Sequence, residues 1–405
     1  MRWVAGSMPT TKPNYSTAHS RVEFKRAADS AHYHTRRKVL TMATSLKHSW
    51  SLLDGAPQAP VGAEGTPAAL AAEQGGAMCA RSSHSVSVVG DTMYCLGGEL
   101  VARTPINSTL WARPLPSGEW APVAAANDGP SARIAHAQAV VGGTHLYVFG
   151  GRASLTMEEA PLNDLWRFDL EARAWEQVHA GGEASDALPC PRSFHKAAAV
   201  GGDLFVFGGC GASGRLADVW RFSVSDSAWA LVKDAAADGV MPGRGGAGFV
   251  PSLDGASLFV VGGFAGEETN NVHRLDLASG TWSTVHENGN ALLVPFSVSC
   301  AAPLTALGAL AFFGGEVGAS QKGHEGAGMF GAHVLLLDGI TGQFLRSDEA
   351  PPAADGGDAP QPRARGWASA DAWGGDKLVV FGGLTGDDSA PLRLADTWAL
   401  TVAAE

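Results

Sequence analysis

The 405 residues predict an all-β fold of six four-stranded blades arranged as a propeller, and three observations carry that expectation. Six strand-like runs end in a glycine doublet: "MYCLGG" at Gly97, "LYVFGG" at Gly150, "LFVFGG" at Gly208, "LFVVGG" at Gly262, "LAFFGG" at Gly314 and "LVVFGG" at Gly382. Their first glycines stand 53, 58, 54, 52 and 68 residues apart. Composition agrees, because charged residues make up only 17% of the chain while Gly reaches 52 and Trp 12, the profile of short strands joined by tight turns. Each unit also carries a bulky pair nine residues apart on its outer two strands, such as Trp166 and Trp175 or Trp220 and Trp229.

The elements follow in chain order. Residues 1–41 hold eight Lys/Arg against Glu23 and Asp29, and we expect a disordered basic extension, with organelle targeting as the other reading of the same composition. Residues 42–405 form the predicted propeller and carry a net charge near −17, which speaks against nucleic acid as a partner. Nothing approaches the roughly 18 apolar residues of a membrane span. The five cysteines are scattered and none forms a C-x-x-C pair, so a reducing, cytoplasmic setting is expected.

A period of 52 to 68 residues is that of a kelch blade. The sixth unit, "LADTWAL", supplies a third strand at Trp398, and the chain ends at Glu405 before a fourth. The run "KHSWSLL" around Trp50 has no blade of its own, so we expect this N-terminal strand to close the ring and remove its open edges. The doublets themselves are expected to be structural, since glycine lets a strand end turn sharply against its neighbour.

Candidate site residues come from the loops that such a topology gathers on one face, the channel mouth. The residue after each doublet is Glu99, Arg152, Cys210, Phe264, Glu316 and Leu384 in turn. The segments opening the first strands place Arg81, Arg133, Arg192, Arg244 and Arg365 at matching positions, with Phe296 in the fifth blade. A ring of guanidiniums suits an anionic ligand. The alternative is that each arginine ties blade to blade. His84, His136 and His195, each three residues after an arginine, read as structural. The loop "GGEVGASQKGHEGAG" brings Glu316 and His324 together, and carboxylate with imidazole is a ligand set for a transition metal such as Fe(II).

The runs "RSSHSVSVVGDTMYCLGGEL", "RGGAGF", "FGGEVGASQKGHEGAG" and "RARGWASADAW" resemble the plant specifier proteins, the kelch proteins known as nitrile-specifier, epithiospecifier and thiocyanate-forming proteins. The resemblance spans about residues 45 to 402. It implies one non-heme Fe(II) at the mouth, held by a Glu-x3-Asp-x3-His loop, and an activity that directs glucosinolate aglycones toward nitriles, epithionitriles or thiocyanates. Glu316 and His324 match that pattern as metal-binding and catalytic residues, and Ser320 occupies the place of the aspartate. The same resemblance implies a small anionic or sulfur-containing ligand, its charge oriented by Arg81, Arg133, Arg152, Arg192, Arg244 and Arg365 and its apolar end covered by Phe264 or Phe296. A kelch module that only binds a protein partner through its loops is the alternative function; no adaptor segment is recognisable in residues 1–41, and the acidic stretch "SDEAPPAADGGDAPQP" offers a partner a handle.

Overall fold

The computed structural model describes residues 46–54, 60–153, 161–291, 293–345 and 361–404, and within them the chain forms six four-stranded antiparallel sheets. The basic extension and most of the acidic stretch after Ser347 lie outside the described residues. Blade one orders Ser85–Val89, Thr92–Leu96, Leu110–Pro114 and Ala121–Pro122 from the axis outward. Blade three repeats the plan with Lys196–Val200, Asp203–Gly211, Gly214–Ser223 and Ala228–Asp234. The innermost strands adjoin one another from blade to blade around a closed ring.

The ring closes as the sequence predicts. Leu46–Leu52 pairs antiparallel with Pro391–Ala404 as the outer strand of blade six, placing Trp50 opposite Leu400. The Trp50 indole meets Phe313 of blade five edge-on at 4.6 Å and joins a cluster that includes Leu46, Leu336 and Leu400. Closure therefore rests on side-chain burial as well as on the strand ladder. One element was not foreseen: a nine-residue helix, Thr66–Gln74, with proline in its first turn, lies between the closing strand and blade one. No helix of the described residues is long and apolar enough to cross a membrane.

Apolar side chains fill the wedges between blades, because a strand buried on both faces reads as a continuous hydrophobic run. Leu258, Phe259, Val260 and Val261 are completely buried, and they feed two different inter-blade clusters by alternation. The doublet glycines sit at a register break in the ladder, seen between Phe207 and Gly209. Gly314 and Gly315 have φ of 66° and 111°, and a Cβ on either would lie 2.5 or 2.6 Å from the carbonyl oxygens of Arg365 and Ser297. Close backbone approach as well as positive φ restricts these positions to glycine.

Candidate functional site

The arginines are where the sequence reading needs correction. Arg81, Arg133, Arg192, Arg244 and Arg365 are at most 1% exposed, lying inside their own blades instead of ringing the mouth. The register break frees the carbonyl of each first glycine from the ladder, and the guanidinium Nη1 takes it up: Gly97, Gly150, Gly208, Gly262 and Gly382 accept at 2.9 to 3.1 Å. Nε donates to the carbonyl two residues earlier, and in blades two, three and six the guanidinium also meets a carboxylate on the third strand. Asp164, Asp218 and Asp396 each accept two bonds from their arginine at 2.7 to 3.0 Å. Each of these aspartates also accepts the indole N–H of the tryptophan two residues on.

The exceptions obey the same logic. In blade one Thr109 stands where the aspartate should be, and Glu73 of the helix substitutes, accepting from Arg81 Nη2 at 2.7 Å. Burial works against the Glu73 charge, but the guanidinium overrides it and holds that carboxyl below the usual range. In blade four the position is Asn271, whose amide oxygen accepts from Arg244 Nη1 at 2.7 Å, and Nη2 has no partner. Burial pulls Arg244 down to about 10. In blade five both members change: Phe296 replaces the arginine, is completely buried, and meets His333 edge-on at 5.6 Å. Phe296 is therefore a core residue with no access to a ligand at the mouth.

The histidines are structural, as expected. His195 Nε2 lies 3.1 Å from the Phe149 carbonyl of the preceding blade and its ring packs against Phe149, while burial pushes its proton affinity well below the usual value. His195 thus ties blade three to blade two, and the buried His84 and His136 pack in the corresponding places of blades one and two.

The mouth itself is a cup with a backbone floor. Ser83, Ala135, Phe194, Gly246, Val298 and Trp367, one per blade, all have φ between 47° and 62°. The N–H of each donates to the carbonyl of the equivalent residue in the preceding blade at 2.7 to 3.0 Å, so the six bonds close a circle around the axis. Phe194 and Trp367, from opposite blades, meet edge-to-face across it at 5.3 Å.

Loops between the second and third strands make the cup wall. Glu99 is buried and accepts from the Ser83 hydroxyl at 2.7 Å and from the Arg103 backbone N–H. Arg152 stays on this face: its Nε donates to Ser193 Oγ at 3.2 Å, and burial, with the Arg103 charge added, lowers its proton affinity. Arg215 stacks its guanidinium over the Phe264 ring at 4.5 Å, which leaves Phe264 partly covered. Of the six arginines expected at the mouth only Arg152 lies on this face, where it is buried, and Arg103 of blade one, paired with Glu325, lies near it.

In blade five, Glu316 is buried and its Oε1 accepts the Ser320 N–H at 3.3 Å. Ser320 Oγ donates in turn to Asp388 Oδ1 of blade six, and the Gln321 N–H donates to Asp388 Oδ2 at 3.0 Å. Lys322 Nζ donates to the Asp388 carbonyl at 2.6 Å. Hydrogen bonds, the Ser320 hydroxyl foremost, hold the Asp388 carboxyl below its ordinary range. Glu325 reaches Arg103 of blade one at 3.2 Å, so the loop spans three blades. The His324 backbone forms part of a short turn, Gly323–Glu325, and its imidazole lies outside the described side chains. Among the described residues no three His, Cys, Asp or Glu side chains converge on one point. Asp388, Arg103, Phe194 and Trp367 are the site residues that sequence reasoning missed.

The class this architecture defines is the kelch-repeat propeller. The family model of the KLHDC2/KLHL20/DRC7 Kelch-repeats domain matches residues 83–315, more than half of the chain, and the chain belongs to that family. Among individual proteins, N-(sulfonatooxy)prop-2-enimidothioate sulfolyase of Thlaspi arvense is 29% identical over 326 residues, covering 75% of this chain and 88% of that protein, so the chain is related to a specifier-type protein. Acyl-CoA-binding domain-containing protein 4 of Arabidopsis thaliana is 28% identical over 196 residues, 48% of this chain but only 28% of that protein. The solved structure titled "Structure of YjhT" superposes with a TM-score of 0.60 at 17% identity, over 81% of this chain and 99% of that one, which speaks to the fold alone.

Proposed function

We propose that the chain is a specifier-type protein acting at the mouth cup on a small anionic sulfur compound, of the N-sulfonatooxy imidothioate class named for its Thlaspi relative. The observation that carries the reading is the blade-five loop, where two carboxylates bracket Ser320: Glu316 accepts its N–H and Asp388 its hydroxyl. With the His324 imidazole, that donor chemistry fits Fe(II), which takes carboxylate and imidazole together with open positions. Asp388 supplies from blade six the second carboxylate that the serine at 320 lacks, and Glu325, engaged with Arg103, does not. Fe(II), when bound, supplies a Lewis-acidic and redox-active centre beside the ligand's sulfur and nitrogen.

The protein's own groups do the rest. Arg103 and Arg152 receive the sulfonate oxygens, since a guanidinium fork can donate to two oxygens of the tetrahedral group at once. Phe194 and Trp367 form an apolar floor for the ligand's hydrocarbon end and keep water from below. The blade-five loop is latched to Asp388 and Arg103, and that holds Ser320 where its N–H meets Glu316.

The test is anaerobic Fe(II) titration together with product analysis on an N-sulfonatooxy imidothioate generated in place. We expect saturable binding and nitrile, epithionitrile or thiocyanate product above the spontaneous background. Glu316→Gln loses both while its unfolding midpoint stays. Product that forms equally without protein or without Fe(II) overturns the reading. A protein-docking function is the second reading, favoured by the exposed Val101, Val294 and Met329 in mouth-side segments, and capture of a partner that Met329→Asp releases would support it instead.

A further inference from the structure

From the aromatic floor downward the axis carries a cavity of about 130 Å³, lined by Phe194, Trp367 and the first residues of the six inner strands. One layer of that lining is Ser85, Ala137, Lys196, Gly248, Cys300 and Ser369, and Lys196 is its only long side chain. The adjacent blades offer Ala137 and Gly248, which leaves room for the amine. No carboxylate and no hydrogen-bond acceptor pairs with Lys196 Nζ among the described residues.

The neighbours do not neutralise it. Ser85 Oγ is committed to the His136 carbonyl, and Ser369 Oγ accepts the Val86 N–H. Burial pushes the Cys300 thiol up to about 12, so it stays uncharged. Asp371 of blade six accepts the Val88 and Ala372 N–H groups and is not paired with the lysine. Ser299 Oγ, in the same lining, is buried with no partner. Burial also lowers the proton affinity of Lys196. Lys196 is half-buried because it faces the cavity, and an ammonium held there without a protein partner is a point at which a counter-ion gains from the charge.

We infer that the axial cavity is a binding site for a small monovalent inorganic anion of halide size, with Lys196 Nζ as its cation and Ser299 Oγ as a further donor. The site lies below the mouth cup, with the circle of backbone hydrogen bonds and the Phe194–Trp367 pair at its upper rim. It does not depend on the metal reading above. A single charge, a narrow bore and hydroxyl donors favour a small monovalent ion over a sulfate or phosphate ester, which would need several cations.

The experiment is bromide NMR of the full chain at constant ionic strength. Wild type is expected to broaden the bromide line in excess of Lys196→Met by at least threefold, and added chloride should abolish the excess. Equal broadening by both proteins overturns the proposal. Should Lys196→Met fail to fold, bromide-soaked crystals of the wild type decide. An anomalous peak within hydrogen-bond distance of Nζ supports the site, and water alone at that position refutes it.

Discussion

Replacing Asp218 by asparagine tests whether the buried arginines hold the fold or wait for a ligand. Arg192 is completely buried; its Nη1 and Nη2 each lie 2.7 Å from an Asp218 oxygen, and Trp220 Nε1 donates to the same carboxylate at 2.7 Å. An amide offers one acceptor for three donors and carries no charge, so the guanidinium is left uncompensated. Breaking such a pair costs about 3–5 kcal/mol when it is fully buried, and we expect ~2–3 kcal/mol here because water reaches one side of the carboxylate. That side chain is 15% exposed. Equilibrium urea unfolding followed by tryptophan fluorescence measures the loss. Arg192→Met on top of Asp218→Asn should recover part of it, because the orphaned charge goes too. A loss below about 0.5 kcal/mol, the range of a plain surface change, or strict additivity in the double variant, would refute the structural role.

Asn271→Asp is the reciprocal change, giving Arg244 the carboxylate that three other blades possess, and it should raise the unfolding free energy by about 1 kcal/mol, net of the cost of burying the new charge. Trp50→Ala removes the half-buried indole that seals blade five to blade six and should cost ~2–3 kcal/mol, read as a lower urea midpoint. Burial raises the Asp371 carboxyl to about 6 from its ordinary 3.8. The folded protein thus holds a proton that the unfolded chain has released, and stability falls as pH rises from about 4 to about 6. Asp371→Asn stays neutral throughout, so it should flatten that slope, gaining up to ~3 kcal/mol at pH 7 and nothing at pH 4 in paired thermal melts.

The blade count and the closing strand were legible because both are written as local patterns: a hydrophobic run, a doublet, and a tryptophan without a blade. The arginines were visible, with a tie from blade to blade as their structural alternative, whereas their partners lie within the same blade. The deciding signal is two residues before the third-strand tryptophan, where Asp164, Asp218 and Asp396 stand. Where that residue becomes His333, the arginine becomes Phe296; where it is Thr109, a helix brings Glu73. Such paired change within one chain marks an internal bond. The helix Thr66–Gln74 was missed because nine residues with only one buried side chain, Glu73, leave no apolar period. Asp388 could not be read at all, since it meets Ser320 from 68 residues away through the adjacency of blades five and six.

That adjacency gives the serine at 320 a meaning it lacks in the sequence. Ser320 donates to Asp388 from its hydroxyl and to Glu316 from its backbone, so one neutral residue separates two carboxylates. Aspartate at 320 would set a third negative charge within hydrogen-bond distance of Asp388, and like charges so close raise one carboxyl's proton affinity and weaken the fold at neutral pH. A divalent cation reverses the sign of that interaction. Ser320→Asp should therefore melt lower than wild type in metal-free buffer and gain more from Fe(II) than wild type does, because ligand stabilisation grows with affinity as RT ln(1 + [L]/Kd). If the variant is destabilised to the same degree with and without Fe(II), the three side chains do not share a cation, and the loop is a latch across the mouth.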